Sequence, residues 1–120
     1  MFHVFREYRF EAAHRLTGLP EGHKCARLHG HSFVVQLHCS GPMDEAKGWL
    51  IDYYDIDTAW APCHEALDHR FLNDVAGLHN PTSEHVARWI WERVRPQLPS
   101  LSRVVVKETC DAGCIYAPEP

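Results

Sequence analysis

The residue types best suited to chemistry gather in one short segment, "KCARLHGHSF" at residues 24–33. His29 and His31 are two residues apart, and in a β-strand that spacing points both side chains to the same face. His14 is the best candidate for a third ligand, because small residues flank it in "FEAAHRL". Three neutral imidazoles suit Zn²⁺ and leave one position open for water or substrate. The alternative is a set of ordinary loop histidines.

Cys25 lies four residues before His29 and permits two interpretations. As a fourth ligand, it would complete a closed structural zinc site of one cysteine and three histidines. As a free thiol, it would serve as a base or nucleophile, because the neighbouring Lys24 and a nearby zinc ion would both favour the thiolate. The sequence alone does not separate these roles, and both remain open.

A second polar pair, Asp68 and His69, occurs in "ALDHRFLND" at residues 66–74. A carboxylate beside an imidazole can orient the ring and raise its basicity, which suits proton transfer. Adjacent side chains point apart in a regular strand or helix, so the pair works together only in a turn. Asn73 and Asp74 indicate a turn nearby. The alternative is a helix end whose two polar side chains are merely solvated.

Glu108 and Thr109 close a strongly apolar segment, "VVVKETC". A carboxylate at the edge of a pocket can accept two hydrogen bonds from a planar N–C–N edge, such as the one that a pterin or a purine presents. The alternative is a strand end that emerges into water. A lone glutamate at such a position does not distinguish the two.

Alternation of apolar and polar residues predicts the strands that must position these side chains. The predicted strands are residues 2–10, 32–40, 49–53 and 102–110. The early strands are separated by turns rather than by helices, which favours a largely antiparallel sheet.

A first helix is predicted to follow Asp52 or Asp55, either of which can cap it, and to run to about Leu67. Pro62 falls inside this segment, which implies a kink or a later start of the helix.

A second helix is predicted in "NPTSEHVARWIWERVRPQL", with Thr82 or Ser83 as its N-cap. Val86, Ile90 and Val94 recur every four residues and form an apolar stripe. With the helices on one face of an antiparallel sheet, the fold class is α+β.

Length and composition predict one domain over residues 1–120, with 45% hydrophobic and 23% charged residues. A net charge of -4 without blocks of like charge argues against a nucleic-acid partner. No apolar run approaches the roughly 18 residues that span a bilayer, and the charged N-terminus does not look like a secretion signal. We therefore expect a cytoplasmic protein without a membrane partner. Its five cysteines, an odd number, favour free thiols.

Taken together, six segments resemble the 6-pyruvoyltetrahydropterin synthase superfamily and, within it, the bacterial 6-carboxytetrahydropterin synthase group. They occur in family order and span nearly the whole chain: "FEAAHRL", "PEGHKCARLHGHSF", "GWLIDYYDI", "LDHRFLN", "NPTSEHVARWIW" and "VKETCDAGCIY". The gap of three residues between Cys25 and His29 resembles that group, because the pyruvoyl-forming group usually has a longer gap.

The resemblance implies a T-fold, in which an antiparallel four-stranded sheet carries two helices on one face and its copies associate into an oligomeric barrel. Family members are commonly hexamers built from two trimers, with active sites between subunits. Such closure would also cover the exposed edges of a small sheet.

The resemblance further implies a zinc-dependent lyase of queuosine biosynthesis. Its substrate would be 7,8-dihydroneopterin triphosphate, and its products 6-carboxy-5,6,7,8-tetrahydropterin, acetaldehyde and triphosphate. The implied zinc ligands are His14, His29 and His31. The implied catalytic residues, which move protons, are Cys25, Asp68 and His69. The pterin ring would be held by Glu108, with Thr109 and Glu84 assisting. On grounds of charge, the candidates for the triphosphate are Lys24, Arg27 and Arg15.

Three alternatives remain. The chain could form 6-pyruvoyltetrahydropterin, or it could cleave only the side chain of dihydroneopterin. Outside enzymes, it could be a structural zinc module that binds a protein partner. That last alternative predicts a closed site of Cys25 with three histidines and no pocket at Glu108.

Overall fold

A computed structural model describes residues 1–118 of the chain. The strands are β1 (Phe2–His14), β2 (His29–Gly41), β3 (Arg70–Phe71), β4 (Leu101–Thr109) and β5 (Ala112–Tyr116). The α-helices are α1 (Tyr53–Leu67) and α2 (Ser83–Val94), and short 3-10 turns cover Lys24–Ala26 and Leu72–Asp74. Neither described α-helix combines the length and the apolar character needed to cross a bilayer.

The five strands form one sheet in the order β3-β1-β2-β4-β5. Strand β2 lies at its centre and pairs antiparallel with both β1 and β4, while β5 forms an antiparallel hairpin with β4. The short β3 runs parallel to the end of β1. The α+β class and the largely antiparallel sheet are confirmed, with five strands in place of the expected four.

The strand predicted at residues 49–53 is wrong. The Asp44 N–H donates to the Trp49 carbonyl at 2.9 Å, and Gly48 turns the chain at a φ of 80° that glycine tolerates best. Asp52 then caps α1, since its side chain accepts a hydrogen bond from the Tyr54 N–H. The helix therefore begins directly after Asp52, and Pro62 lies inside it without delaying its start.

Strand β5 is absent from the sequence-based prediction, which ended with residues 102–110. Glycine in a strand weakens the pattern, and Gly113 lies opposite Lys107. A Cβ on Gly113 would lie 2.8 Å from the Val106 carbonyl oxygen, so the close approach of the two strands requires a residue without a side chain. Gly113 therefore permits this hairpin and also weakens the strand pattern by which the sequence would have indicated it.

Both helices pack on one face of the sheet. Along β2, alternate side chains are fully buried in this core, namely Phe33, Val35, Leu37 and Cys39. The predicted stripe of α2 is buried against them, and Thr82 caps that helix by accepting a hydrogen bond from the His85 N–H. From α1, Ile56, Trp60 and Leu67 complete the same core cluster. This burial fixes which face each strand residue points to.

Candidate active site

The three predicted histidines meet where the β1–β2 ladder ends. His14 is the last residue of β1 and pairs directly with His29, the first residue of β2, while His31 lies two residues further along β2. Their ring centroids are 4.5 to 5.1 Å apart, and one ligating nitrogen from each lies within 4.8 Å of the other two. Both strands are longer than predicted, and this lengthening brings the histidines together.

Backbone carbonyls set the tautomers of two of these rings. His14 Nδ1 is 2.7 Å from the Pro81 carbonyl oxygen, and His29 Nδ1 is 2.7 Å from that of Arg27. Because a carbonyl oxygen only accepts, each Nδ1 carries the proton and each Nε2 keeps its lone pair. A histidine that binds a metal through one nitrogen usually donates from the other in this way.

Two of the nitrogens are buried without a partner. Among the described residues, the side-chain nitrogens and oxygens that are buried and lack a hydrogen bond are His14 Nε2 and His31 Nε2. Such groups normally have partners, so their convergence indicates a ligand set. Burial lowers the pKa of His14, which keeps the ring neutral and able to bind a cation. The donor set therefore fits Zn²⁺.

Glu108 lies beside this cluster, since its Oε2 is 3.9 Å from His31 Nε2. It lines a depression of about 340 Å³ together with Glu84, from the first turn of α2, and with small residues of β5. The structure thus brings two predicted pterin-binding residues to one pocket. Thr109 does not line this depression; its hydroxyl donates to Asp111 in the β4–β5 turn at 3.0 Å.

Asp68 and His69 form a hydrogen-bonded pair, with Asp68 Oδ2 2.8 Å from His69 Nδ1. Asp68 ends α1, and His69 adopts a φ of 56° that side chains rarely tolerate. Such local strain is frequent at functional sites. The turn that the sequence analysis required is therefore present, and the His69 side chain is 78% exposed.

The backbone of Glu11 holds this pair against β1. Its N–H donates to Asp68 Oδ1 at 2.9 Å, and its carbonyl accepts from the His69 N–H at 2.6 Å. The Glu11 N–H and then the His69 ring hold the pKa of Asp68 below its ordinary value. Asp68 therefore stays ionised at neutral pH and can orient the imidazole.

Within one chain, the pair and Glu108 occupy different clefts. His69 lines a cleft of about 540 Å³ with Glu11, Ser32, Arg70 and neighbouring β1 and β2 residues. His31 also lines that cleft, whereas Glu84 and Glu108 line the smaller depression. The histidine cluster thus lies between the two clefts, since His31 lines the first and its Nε2 is 3.9 Å from Glu108 in the second.

Cys25 lies in the short 3-10 turn between β1 and β2 and is partly buried. The group of converging ligand atoms contains the three histidines and not the Cys25 thiol. Lys24, Arg27 and Arg15 are exposed around this connection.

Sequence reasoning missed two contributors to the site. The Pro81 carbonyl, which orients His14, carries no signal in the sequence, because only the fold brings it close. His64 does carry a signal, since it lies one helical turn before Asp68 and its Nε2 is 3.8 Å from Asp68 Oδ2.

Comparison with known proteins identifies the family of this chain. The model of the family described as 6-pyruvoyl tetrahydropterin synthase matches residues 3–119. A 6-carboxy-5,6,7,8-tetrahydropterin synthase from Synechocystis sp. is 38% identical, covering 97% of this chain and 93% of its own. The dihydroneopterin monophosphate aldolase of Pyrococcus furiosus is 34% identical, covering 75% and 72%.

A solved structure shows the same fold. The 6-pyruvoyl tetrahydropterin synthase of Caenorhabditis elegans superposes with a TM-score of 0.90 at 26% identity, covering 98% of this chain and 96% of its own. The family model covers nearly the whole sequence, and the three-histidine cluster lies within the matched residues. The chain therefore belongs to the 6-pyruvoyl tetrahydropterin synthase family and is a lyase.

Proposed function

We propose that this protein is a zinc-dependent 6-carboxytetrahydropterin synthase of queuosine biosynthesis. It converts 7,8-dihydroneopterin triphosphate and water to 6-carboxy-5,6,7,8-tetrahydropterin, acetaldehyde and triphosphate. The observation that carries the proposal is the set of three histidine nitrogens that converge beside Glu108. The similarity to the Synechocystis synthase over nearly the full chain supports the choice of reaction.

The histidine cluster would hold Zn²⁺ through His14, His29 and His31. When bound, Zn²⁺ would supply Lewis-acid chemistry, which polarises a substrate oxygen and lowers its pKa. Glu108 would bind the amino and ring N–H groups of the pterin, because an ionised carboxylate accepts two parallel hydrogen bonds. Glu84, across the same depression, would assist, and Thr109 would contribute only if its hydroxyl left Asp111.

Two groups would move protons. The partly buried Cys25 would take or return a proton at a side-chain carbon of the substrate. His69, oriented by the ionised Asp68, would exchange a proton with a side-chain hydroxyl. Lys24, Arg27 and Arg15 remain candidates for the triphosphate because they are exposed cations on one connection.

The two clefts support an assembled active site. A second copy would bring its Asp68 and His69 to the Glu108 depression of the first, so that the catalytic groups come from neighbouring subunits. We therefore propose a homo-oligomer, a hexamer built from two trimers, of single-domain chains spanning residues 1–120. The assembly would act in the cytoplasm on a small molecule, without a nucleic-acid or membrane partner.

Product analysis tests the reaction. Purified protein reconstituted with Zn²⁺ is incubated with 7,8-dihydroneopterin triphosphate, and aldehydes and pterins are quantified by chromatography and mass spectrometry. Acetaldehyde in equal amount to 6-carboxytetrahydropterin is the expected result. Formation of 6-pyruvoyltetrahydropterin without acetaldehyde would assign the chain to the pyruvoyl-forming reaction instead.

Similarity to the Pyrococcus aldolase supports a second candidate reaction, cleavage of the dihydroneopterin side chain. That reaction releases glycolaldehyde, so the same assay separates it from the first. The non-enzyme alternative of a structural zinc module is wrong, because a pocket is present at Glu108 and the chain belongs to an enzyme family.

A further inference from the structure

We propose that Asn73 and Asn80 are positioning residues that hold residues 15–17 and, through the Leu16–Cys25 backbone hydrogen bond, hold the turn that carries Cys25. The importance of this placement rests on the proposed function, in which Cys25 is the catalytic thiol. The chain contains only these two asparagines, and both side chains bind the backbone of the same short segment.

The Asn73 side chain forms hydrogen bonds with both the backbone N–H and the backbone carbonyl of Arg15. Its Oδ1 accepts from the Arg15 N–H at 3.0 Å, and its Nδ2 donates to the Arg15 carbonyl at 2.8 Å. These bonds begin directly after His14, where β1 ends and its pairing with β2 stops. One amide side chain therefore replaces the neighbouring strand at this point.

Asn80 binds the next backbone N–H on the same side of this segment, that of Thr17. Its Oδ1 accepts from the Thr17 N–H at 2.8 Å. Between these two attachments, the Leu16 N–H points the other way and donates to the Cys25 carbonyl at 2.8 Å. The alternating directions are those of an extended chain, with asparagines on one side and the Cys25 turn on the other.

The connection has little else to hold it. In residues 1–118, the hydrogen bonds that tie residues 15–28 to elements other than β1 and β2 come from these two side chains. Asn80 also precedes Pro81, whose carbonyl orients His14. Neighbouring residues of the loop before α2 thus bind both the His14 ring and the segment that is hydrogen-bonded to the Cys25 backbone.

Thiol reactivity tests the proposal independently of catalysis. The variants are Asn73→Ala, Asn80→Ala and the double variant, with Asp74→Ala as a control that is adjacent and exposed. Zinc-free protein is treated with iodoacetamide, and peptide mass spectrometry follows Cys25, with the exposed Cys110 as an internal reference. Hydrogen exchange at the Leu16 amide is measured on the same samples.

We expect alkylation of Cys25 to rise about tenfold in the double variant, because loss of three hydrogen bonds opens the connection. Leu16 exchange rises with it, while Cys110 and the Asp74→Ala control stay at wild-type rates. Unchanged Cys25 alkylation and Leu16 exchange in the double variant would overturn the proposal. If that variant does not fold, Asn80→Ala, which loses one bond, is judged by the same comparison.

Kinetics separate this role from general destabilisation. With 7,8-dihydroneopterin triphosphate, Asn73→Ala should lower kcat at least tenfold because Cys25 loses its support, and KM should also rise because the connection carries Arg15, Lys24 and Arg27. A matching rise in KM with unchanged kcat would contradict a role through Cys25. A wild-type protein that releases no acetaldehyde would reject the proposed function, and the alkylation result would still decide the role of the asparagines.

Discussion

Within residues 1–118, the histidine cluster contains two buried nitrogens without a hydrogen bond, His14 Nε2 and His31 Nε2, and the Cys25 thiol lies outside the converging set. We predict that alanine at His14, His29 or His31 removes bound Zn²⁺ and activity together. Cys25→Ala should keep Zn²⁺ at wild-type stoichiometry and lose activity. Metal analysis of the purified variants measures the bound Zn²⁺, and acetaldehyde release measures their activity.

The control for this comparison is His79→Ala, which removes an exposed histidine outside the cluster and should change neither quantity. Loss of zinc in Cys25→Ala would make the thiol a fourth ligand and would remove it from proton transfer. A residue other than Cys25 would then have to act as the base in the proposed reaction.

The remaining thiols differ in burial, which predicts their reactivity. Burial raises the pKa of Cys39 and raises that of Cys63 to about 11, so both stay protonated at pH 8. We predict that iodoacetamide labels Cys110 and Cys25 in native protein and spares Cys39 and Cys63. Peptide mapping of labelled protein checks this pattern, and labelling of Cys63 before unfolding would contradict the packed core.

The candidate site residues were chosen from their types, but their mutual placement was only partly predictable. The sequence shows that His29 and His31 share a face, because a strand alternates. It does not show that His14 finds the Pro81 carbonyl or that Asp68 binds the Glu11 N–H, because these contacts join residues far apart in the chain. The positive φ of His69 is likewise a product of the assembled fold.

Among the elements, α2 begins where its cap predicts. Thr82 accepts a hydrogen bond from the His85 N–H, and this turn presents Glu84 to the Glu108 depression. We predict that Thr82→Ala lowers the free energy of unfolding by about 1 kcal/mol, because an N–H of the first turn loses its acceptor. Urea denaturation followed by circular dichroism measures the change.

Thr58→Ala is the matched control. The Thr58 hydroxyl donates to the Tyr54 carbonyl inside α1 and is exposed, so its loss should change stability by less than about 0.5 kcal/mol. An equal effect of the two substitutions would mean that the α2 cap contributes nothing beyond the loss of a hydroxyl.

Local signals predicted the helices and the long strands better than the short elements. Asp52 and Thr82 cap helices by contacts within a few residues, so their signals lie in the local sequence. Strand β3 has two residues and exists because β1 offers it a free edge, which no local pattern encodes. Residues 49–53 alternate in polarity as a strand would. They do not form one, because the turn at Gly48 precedes them and Asp52 already caps α1.

At the scale of the whole molecule, both edges of the described sheet leave backbone hydrogen-bonding groups without a strand partner. Within residues 1–118, β1 pairs on its outer side with β3 only at Ala12 and Ala13, and β5 has a partner on one side. Ile115 on β5 is 61% exposed. Such edges favour pairing with another chain, which supports the proposed oligomer.

An assembled active site predicts complementation between inactive variants. Cys25→Ala and His69→Ala are each expected to be inactive. Mixed oligomers of the two variants should regain about a quarter of wild-type activity, because random mixing gives that fraction of active sites both an intact Cys25 and an intact His69 from the neighbouring subunit. The assay follows acetaldehyde release after the two proteins are unfolded together and refolded. Persistent inactivity of mixed oligomers, confirmed by their mass, would place both residues in one subunit's site.

The pairing of His14 with His29 has a mechanical consequence. Residues 15–28 form a loop whose two ends are His14 and His29. A metal ion bound by both side chains would therefore cross-link the ends of this loop, as a disulfide would. We predict that a chelator speeds tryptic cleavage after Lys24 and Arg27, while the rate of cleavage after Lys47 in the next loop stays constant. Equal rates of cleavage after Lys24 and Arg27 with and without Zn²⁺ would contradict this prediction. The same ion would then keep the loop resistant to proteases between turnovers.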